Sequence, residues 1–184
     1  MTAQLPSTLL QLWKLTGSDA NDEHCDWNSV FDPVGLILRA PPRNEGYWCT
    51  PTNSLTFAVT GGDGVHYGLL SVDAEFTDFS PVVMTVPMCD TPNIILGANL
   101  KEFLALGCRY GYFALEQLIY QRETTIRELE LARFGVETEE KERVLLRKIA
   151  SAFALNPWTN PAQRLAELER MFAPSLHLPT QLSQ

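Results

Sequence analysis

Residues 54 to 70 read SLTFAVTGGDGVHYGLL, and this stretch decides the fold. Apolar side chains alternate with others on both sides of the glycines: Leu55, Phe57 and Val59 come before them, and Val65, Tyr67 and Leu69 after them. Such alternation is typical of strands that bury one face. The intervening TGGDG supplies glycines that tolerate the positive φ angles of a tight connection. The stretch therefore predicts an antiparallel hairpin.

Two further strands are predicted outside this hairpin. The segment PVVMTVP at 81–87 is apolar and ends at prolines, which lack the amide proton needed to continue pairing. The segment GLILR at 35–39 is a short apolar run, followed by APPRNEG at 40–46. A central strand could not contain this double proline, so we expect a first strand followed by a turn. The sheet is therefore mainly antiparallel.

Helical patterns occupy the two ends of the chain. A short amphipathic helix is predicted over 5–15, ending near Gly17, and a loop follows at 18–32. After Pro92 the pattern is helical throughout, and Asn99 with Glu102 has the spacing of a capping box. Later helices are predicted at 112–134 (one long or kinked helix with Gly135 as its C-cap), at about 138–155 and at 161–172.

Strands followed by helices indicate an α+β fold, a mainly antiparallel sheet packed with helices. The 184 residues are enough for one sizeable core rather than two. We expect residues 1–120 to form the α+β part, 121–174 a C-terminal helical extension of the same domain, and 175–184 a disordered tail.

Charge is distributed unevenly along the chain. Thirteen of the 22 Asp and Glu but only five of the 14 Lys and Arg lie within residues 1–120, which accounts for the whole net charge of −8. This balance argues against nucleic-acid binding, which requires Lys and Arg to displace phosphate counterions. An acidic surface would instead attract a basic protein partner, although solubility alone can explain such a charge.

Cellular location and cofactors follow from what the sequence lacks. No secretory leader and no apolar stretch of membrane-spanning length is evident, so we expect a cytoplasmic protein without membrane contact. The four cysteines, Cys25, Cys49, Cys89 and Cys108, form no C-x-x-C pair and are expected to be reduced thiols. We expect neither a metal nor another cofactor, and the sequence leaves the oligomeric state open.

Asp63 and His66 are the most conspicuous candidates for catalysis. A carboxylate and an imidazole three residues apart could act as a general acid and base. Positions 63 and 66 of a strand would nevertheless point to opposite faces, and a turn-forming Asp with a solvent-facing His is the simpler interpretation. A hydrolase that uses both residues with help from Cys49 stays the least favoured hypothesis.

Residues suited to partner binding lie in and beside the loops. Tyr47 and Trp48 stand outside the periodic stripes, and aromatic residues in acidic surroundings are common anchors of protein interfaces. Burial is the alternative for each of them. The candidate partner-binding residues are Tyr47, Trp48, Asp63, His66, Asp73, Glu75 and Asp78.

The segments YWCTPTNSLTFAVTGGDGVHYGLL, PVVMTVP and NIILGANLKEFLALGCRYGYFAL together resemble the SUKH superfamily over about residues 47–118. The resemblance carries the turn at 60–65, His66 and Tyr67 on the next strand, and Phe103 and Leu104 on a helix. Two features depart from the family pattern: the long loop at 17–33 and the helices after residue 120.

The resemblance implies an α+β domain over residues 1–120 with no established catalytic apparatus. Members of this superfamily are immunity proteins that bind and neutralise toxins, or regulatory interaction domains. An acidic inhibitor would suit the basic cleft of a nuclease toxin. The leading hypothesis is therefore a non-enzymatic protein-binding domain, an immunity protein with a basic toxin as partner. The first alternative is a regulatory adaptor that acts through the helices at 112–172.

Overall fold

The computed structural model describes residues 5–17, 26–131 and 139–180, and its centre is a single five-stranded sheet. Every strand pairs antiparallel with the next one along the chain. The strands are β1 (Ile37–Arg43), β2 (Ser54–Val59), β3 (His66–Leu70), β4 (Val82–Thr85) and β5 (Asn93–Gly97). The α+β class and the antiparallel sheet predicted from the sequence are confirmed.

Six α-helices accompany the sheet in the described residues. They are α1 (Ser7–Gly17), α2 (Leu100–Gly107), α3 (Gln117–Tyr120), α4 (Arg122–Glu130), α5 (Glu140–Phe153) and α6 (Pro161–Phe172). Short 3-10 turns lie at Trp27–Ser29, Asp32–Val34, Phe113–Glu116 and Ala173–Ser175. The helices predicted at 5–15, 138–155 and 161–172 are confirmed.

The helix predicted over 112–134, as one long or kinked helix, is divided in the part of this region that the structure describes, up to residue 131. This region contains a 3-10 turn, α3 and α4, and the two helices are separated at Gln121, where φ is −141° and ψ is 50°. The break falls in the polar stretch of the sequence, where no apolar stripe holds one helix against the core. Gly135, the expected C-cap, lies outside the described residues.

The prediction that only helices follow Pro92 is also wrong, because Asn93–Gly97 forms β5. The sequence NIILG is a short apolar run, and periodicity alone cannot assign such a run to strand or helix. Pairing with β4 decides the outcome, and both α2 and α6 then pack against β5.

β1 continues through the double proline, where we expected a turn. Its pairing with β2 is irregular between Leu38 and Arg43, and β1 is an edge strand. One side of an edge strand needs no hydrogen-bond donors, so Pro41 and Pro42 are accommodated there.

A register shift in β2 changes the faces predicted for its side chains. Ala58 lies opposite Tyr67 and Val59 opposite His66, with the shift between Thr56 and Ala58. Val59 therefore shares a face with His66, whereas Phe57 packs in the main core. The expectation that Leu55, Phe57 and Val59 share one face is wrong, because a bulge adds one residue to the alternation.

Hydrophobic side chains cover both faces of the sheet. One face and the helices α1, α2 and α5 form the main core, which includes Tyr67, Phe103 and Ile149. On the opposite face Leu70, Val83 and Ile95 form a smaller cluster with Leu168 of α6. The helices after residue 120 thus contribute side chains to both cores.

Part of the expected disordered tail is bound to the start of β2. The Asn53 amide donates to the Ser175 carbonyl at 3.0 Å and accepts from the His177 N–H at 3.0 Å. The Thr52 N–H donates to the His177 carbonyl at 2.7 Å. Residues 175–177 therefore differ from the expectation, because the loop before β2 offers them hydrogen-bond partners, and residues 181–184 lie outside the described part.

Membrane insertion can be assessed for the described helices. The longest of them, α5, has 14 residues, which corresponds to about 21 Å. A bilayer core is about 30 Å thick. Within residues 5–17, 26–131 and 139–180, no helix has both the length and the apolar character to cross a membrane.

Candidate functional site

The structure separates the predicted partner-binding residues into two groups at opposite ends of β3. Tyr47, Trp48, Asp63 and His66 lie at the start of this strand, near the 60–65 turn. Asp73, Glu75 and Asp78 follow its end. A five-residue strand spans roughly 16 Å. The two groups therefore belong to two different surfaces.

The 60–65 turn is a tight connection that packs under Tyr47. The Thr60 N–H donates to the Val65 carbonyl at 3.1 Å, and φ is positive at Asp63 and Gly64. A Cβ atom at Gly64 would lie 2.9 Å from the Tyr47 ring and 3.3 Å from Pro87. Only glycine therefore allows this close approach.

His66 is a buried support of this turn, with only 2% of its surface exposed. Its Nδ1 lies 2.7 Å from the Gly64 carbonyl oxygen and its Nε2 lies 3.1 Å from the Thr50 hydroxyl. Its ring stacks on Tyr47, with 5.6 Å between centroids and 20° between planes. The expectation of a solvent-facing His is wrong, because the loop before β2 covers this face of the sheet.

The contacts of His66 fix the tautomer of its neutral ring. A carbonyl oxygen only accepts hydrogen bonds, so Nδ1 carries the proton and Nε2 accepts from Thr50 in the neutral ring. Burial lowers the pKa of His66, while the bond to Gly64 and the charge of Glu45 act in the opposite direction. The balance favours the neutral imidazole.

The geometry does not favour the hydrolase hypothesis. Both ring nitrogens of His66 are engaged by groups other than Asp63. Asp63 instead lies close enough to Glu116 to raise the pKa of that carboxyl, after the larger effect of burial. Cys49 is buried, and burial raises the pKa of its thiol, which disfavours the nucleophilic thiolate.

The loop over residues 44–53 is held by its own hydrogen bonds. The Asn44 amide donates to the carbonyls of Pro51 at 2.9 Å and Ser54 at 3.1 Å. The Asn44 side-chain oxygen accepts from the Gly46 N–H at 2.8 Å. One side chain thus fixes both ends of the loop, as Asn often does in turns.

This loop displays two aromatic side chains to solvent. Trp48 is 53% exposed and Tyr47 is 41% exposed. The next residue is fixed to the sheet, because the Asn93 amide of β5 donates to the Cys49 carbonyl at 3.0 Å. Trp48 and Tyr47 are therefore exposed on a backbone that is anchored on both sides.

Two further segments approach this turn, because Pro87 lies beside Gly64 and the Asp63 charge acts on Glu116 and Tyr120. Their side chains, all exposed except the half-buried Glu116, were missed by the sequence analysis. We call the whole surface the turn rim, defined as Tyr47, Trp48, Asp63, Met88, Asp90, Phe113, Glu116 and Tyr120. The pKa of Tyr120 is raised to about 12, mainly because its hydroxyl interacts with the Cys89 thiol. Burial and the charges of Glu116 and Asp63 add smaller effects in the same direction. These interactions connect the β4–β5 loop, α3 and the turn.

A shallow depression of about 210 Å³ lies beside the turn rim, between residues 61–65, Tyr47 and the edge strand. Arg39 and Glu45 line it and form an ion pair with 3.3 Å between Nε and Oε1. Their charges compensate each other, so the acidic character of this end of the sheet comes from Asp63, Asp90 and Glu116.

At the other end of β3, Asp78 holds helix α1 in place. Its carboxylate accepts from the Ser7 hydroxyl at 2.5 Å and from the Thr8 N–H at 2.8 Å. Burial alone would raise the pKa of Asp78, but these hydrogen bonds outweigh it and lower the pKa. Asp78 thus accepts hydrogen bonds from the first residues of α1, which have no partner within the helix. Asp73 and Glu75, in contrast, are exposed.

The described residues offer no cluster suited to a metal ion. Within the three ranges of the chain that the structure describes, no group of three or more His, Cys, Asp or Glu side chains could hold one. The turn rim instead combines exposed aromatic residues with carboxylates.

Comparison with known proteins leaves the structure as the main guide to function. No protein-family model matches the chain, and a search of curated proteins returned no significant match.

Proposed function

We propose that this chain is a non-enzymatic protein-binding domain, an immunity protein that binds a basic toxin domain at the turn rim and neutralises it. The observation that carries the proposal is the pair Tyr47 and Trp48, exposed on an anchored loop, with Tyr47 and Asp63 lining the same depression. The resemblance to the SUKH superfamily supports the same role.

The aromatic pair has the physical character of a binding hot spot. Trp and Tyr are enriched among the few residues that dominate interface energies. Tyr47 stacks on buried His66, and Asn44 fixes the loop, so little conformational freedom is left to lose on binding. Preorganisation of this kind strengthens binding by lowering its entropic cost.

Charge gives the partner its expected chemistry. Asp63, Asp90 and Glu116 contribute carboxylates to the turn rim, and residues 1–120 carry the whole net charge of −8. A negative surface accelerates association with a basic protein and rejects acidic ones. A nuclease toxin, whose cleft binds phosphates, has the required positive charge, and the chain would meet it in the cytoplasm.

The adaptor hypothesis has less support from the C-terminal helices. Their apolar stripes are used within the domain, since Ile149 and Phe153 of α5 and Leu165 and Leu168 of α6 are buried. An adaptor would need further apolar side chains that are free to contact another protein, and on α5 and α6 the large exposed ones are Val144 and Met171.

The proposal can be tested by isolating the partner and measuring its affinity. The tagged full chain is used to capture proteins from its native cells at low and high salt, and the captured partner is purified. We expect a basic protein that is bound at low salt, is released at high salt and impairs growth when expressed alone. Co-expression of the chain should restore growth.

Matched variants locate the contact. Trp48→Ala should weaken the purified complex by about 30-fold or more, as loss of a hot-spot residue does. Met171→Ala on α6 is the control, because Met171 is also 53% exposed but lies outside the turn rim. A complex that tolerates Trp48→Ala but is lost with Met171→Ala would contradict the proposal and favour the adaptor hypothesis.

A further inference from the structure

The connection between β3 and β4 is a second exposed feature, at the opposite end of the sheet from the turn rim. We call residues 71–80, SVDAEFTDFS, the arm. The arm contains three Asp or Glu and no Lys or Arg. Its side chain Phe79 is 81% exposed, and Val72 is 45% exposed.

The first half of the arm is a hairpin turn with an unfavourable backbone. Val72 and Glu75 exchange two N–H to carbonyl hydrogen bonds of 2.9 Å each. The residues between them, Asp73 and Ala74, have φ values of 52° and 64°, the left-handed region that favours glycine. The turn therefore fixes the backbone that carries the exposed Asp73 and Glu75 side chains.

The second half of the arm fixes Phe79. The Thr77 N–H donates to the Ser80 hydroxyl at 2.9 Å, and the Ser80 N–H donates back to the Thr77 carbonyl at 3.0 Å. The Phe79 N–H donates to the Thr77 hydroxyl at 3.2 Å. Asp78, the neighbour of Phe79, is bound to the start of α1. The backbone of Phe79 is therefore held on both sides although its ring is in solvent.

We propose that the arm is a second protein-docking surface, at which Phe79 enters an apolar pocket that is bordered by Lys or Arg side chains of a partner protein. An aromatic ring on a fixed backbone can enter a pocket at little entropic cost. The Asp73 and Glu75 carboxylates lie within a few residues of the ring and would pair with basic groups around that pocket. The absence of any basic residue from the arm makes a basic partner the complementary one.

The arm and the turn rim are independent contacts. They lie at opposite ends of β3, which is a central strand of the sheet and keeps them apart. This inference does not rest on the proposed function, because the arm could bind its partner whether or not the turn rim binds a toxin.

Photo-crosslinking from the arm tests the proposal directly. The photoreactive residue p-benzoylphenylalanine replaces Phe79 in the full chain, which is expressed in its native cells and irradiated. A matched chain carries the same residue at Val144, which is 52% exposed on α5. We expect a crosslink from position 79 to a segment of another protein that contains Lys or Arg, and no such product from position 144.

Affinity measurements with the purified crosslinked protein complete the test. Phe79→Ala should weaken binding by at least about tenfold. Trp48→Ala, at the turn rim, should change it less than about twofold, because well-separated sites act independently. The proposal is overturned by the absence of a crosslink, by equal products from positions 79 and 144, by a crosslink to a second copy of this chain, or by unchanged affinity of the Phe79→Ala variant.

The experiments distinguish a missing contact at the arm from a missing contact at the turn rim. Loss of the turn-rim contact is measured with Trp48→Ala and loss of the arm contact with Phe79→Ala. Phe79 is exposed, so its substitution leaves the core intact, and a thermal melt by circular dichroism confirms that the variant is folded.

Discussion

His66 illustrates at the scale of a single residue how burial changes the role of a side chain. From the sequence, we expected a His on a strand after a glycine turn to face solvent. Here its two nitrogens connect the Gly64 carbonyl with the Thr50 hydroxyl, beneath Tyr47. The residue therefore stabilises the turn rim rather than reacting there.

The pH dependence of stability follows from this burial. The pKa of His66 is lowered in the folded chain, whereas in the unfolded chain it is near its ordinary value of about 6.5. As the pH falls below about 6.5, the unfolded state binds the extra proton first, so the free energy of unfolding decreases. Above that pH the imidazole is neutral in both states, so the chain keeps its full stability with respect to His66.

The measurement is urea unfolding at pH 7.5 and 5.5. We expect the wild-type chain to lose more stability between these two values than His66→Gln, which has no imidazole to protonate. The variant should itself be less stable at pH 7.5 by roughly 1–3 kcal/mol, since a buried hydrogen bond is lost. Equal pH dependence in both chains would show that His66 does not contribute.

At the scale of secondary-structure elements, Glu102 connects the start of α2 with α6. Asn99 caps α2 as predicted, with its side-chain oxygen accepting from the Glu102 N–H at 2.9 Å. The Glu102 carboxylate does not return to Asn99 but accepts from the Ala98 N–H at 2.6 Å. It also receives two hydrogen bonds from Arg164, at 2.6 and 3.1 Å.

Glu102→Gln should destabilise the fold by about 1 kcal/mol, because it removes the charge from a two-point Arg–carboxylate pair that is partly exposed. The control is Glu169→Gln, which removes the carboxylate of the more exposed pair Arg122–Glu169 and should cost less than about 0.5 kcal/mol. Urea midpoints of both variants give the comparison. A larger loss of stability in Glu169→Gln than in Glu102→Gln would mean that Glu102 does not hold α6 in place.

At the scale of the whole molecule, α6 is required because the sheet has two apolar faces. The Leu168 side chain of α6 covers Leu70, Val83 and Ile95 on the face opposite the main core. The adaptor hypothesis would allow residues 136–184 to be removed without harm to the sheet. The structure leads to a different expectation, since this deletion would expose the whole cluster to water.

Truncation after residue 159 should therefore yield a chain that binds the dye ANS and lacks a cooperative thermal transition. Burial of four such aliphatic side chains contributes several kcal/mol, which is comparable with the entire stability of a domain. Truncation after residue 178 is the control and should preserve the transition. A cooperative melt of the shorter chain would contradict the structural role of α6.

The sequence by itself determined those secondary-structure elements that depend on neighbouring residues. Alternation identified β2 and β3, Asn99 marked the start of α2, and the order of strands and helices indicated the α+β class. The sequence also identified Tyr47 and Trp48 as candidates for exposed binding residues. These assignments depend on residues within a few positions of one another.

Only the tertiary structure decided which faces and ends these residues occupy. A register shift placed Val59 with His66, pairing with β4 made Asn93–Gly97 a strand, and the distance along β3 separated Asp63 from Asp73. Each outcome depends on contacts between segments far apart in the chain. Local periodicity carries no information about such contacts, because their free energy arises only when the sheet and the helices pack together.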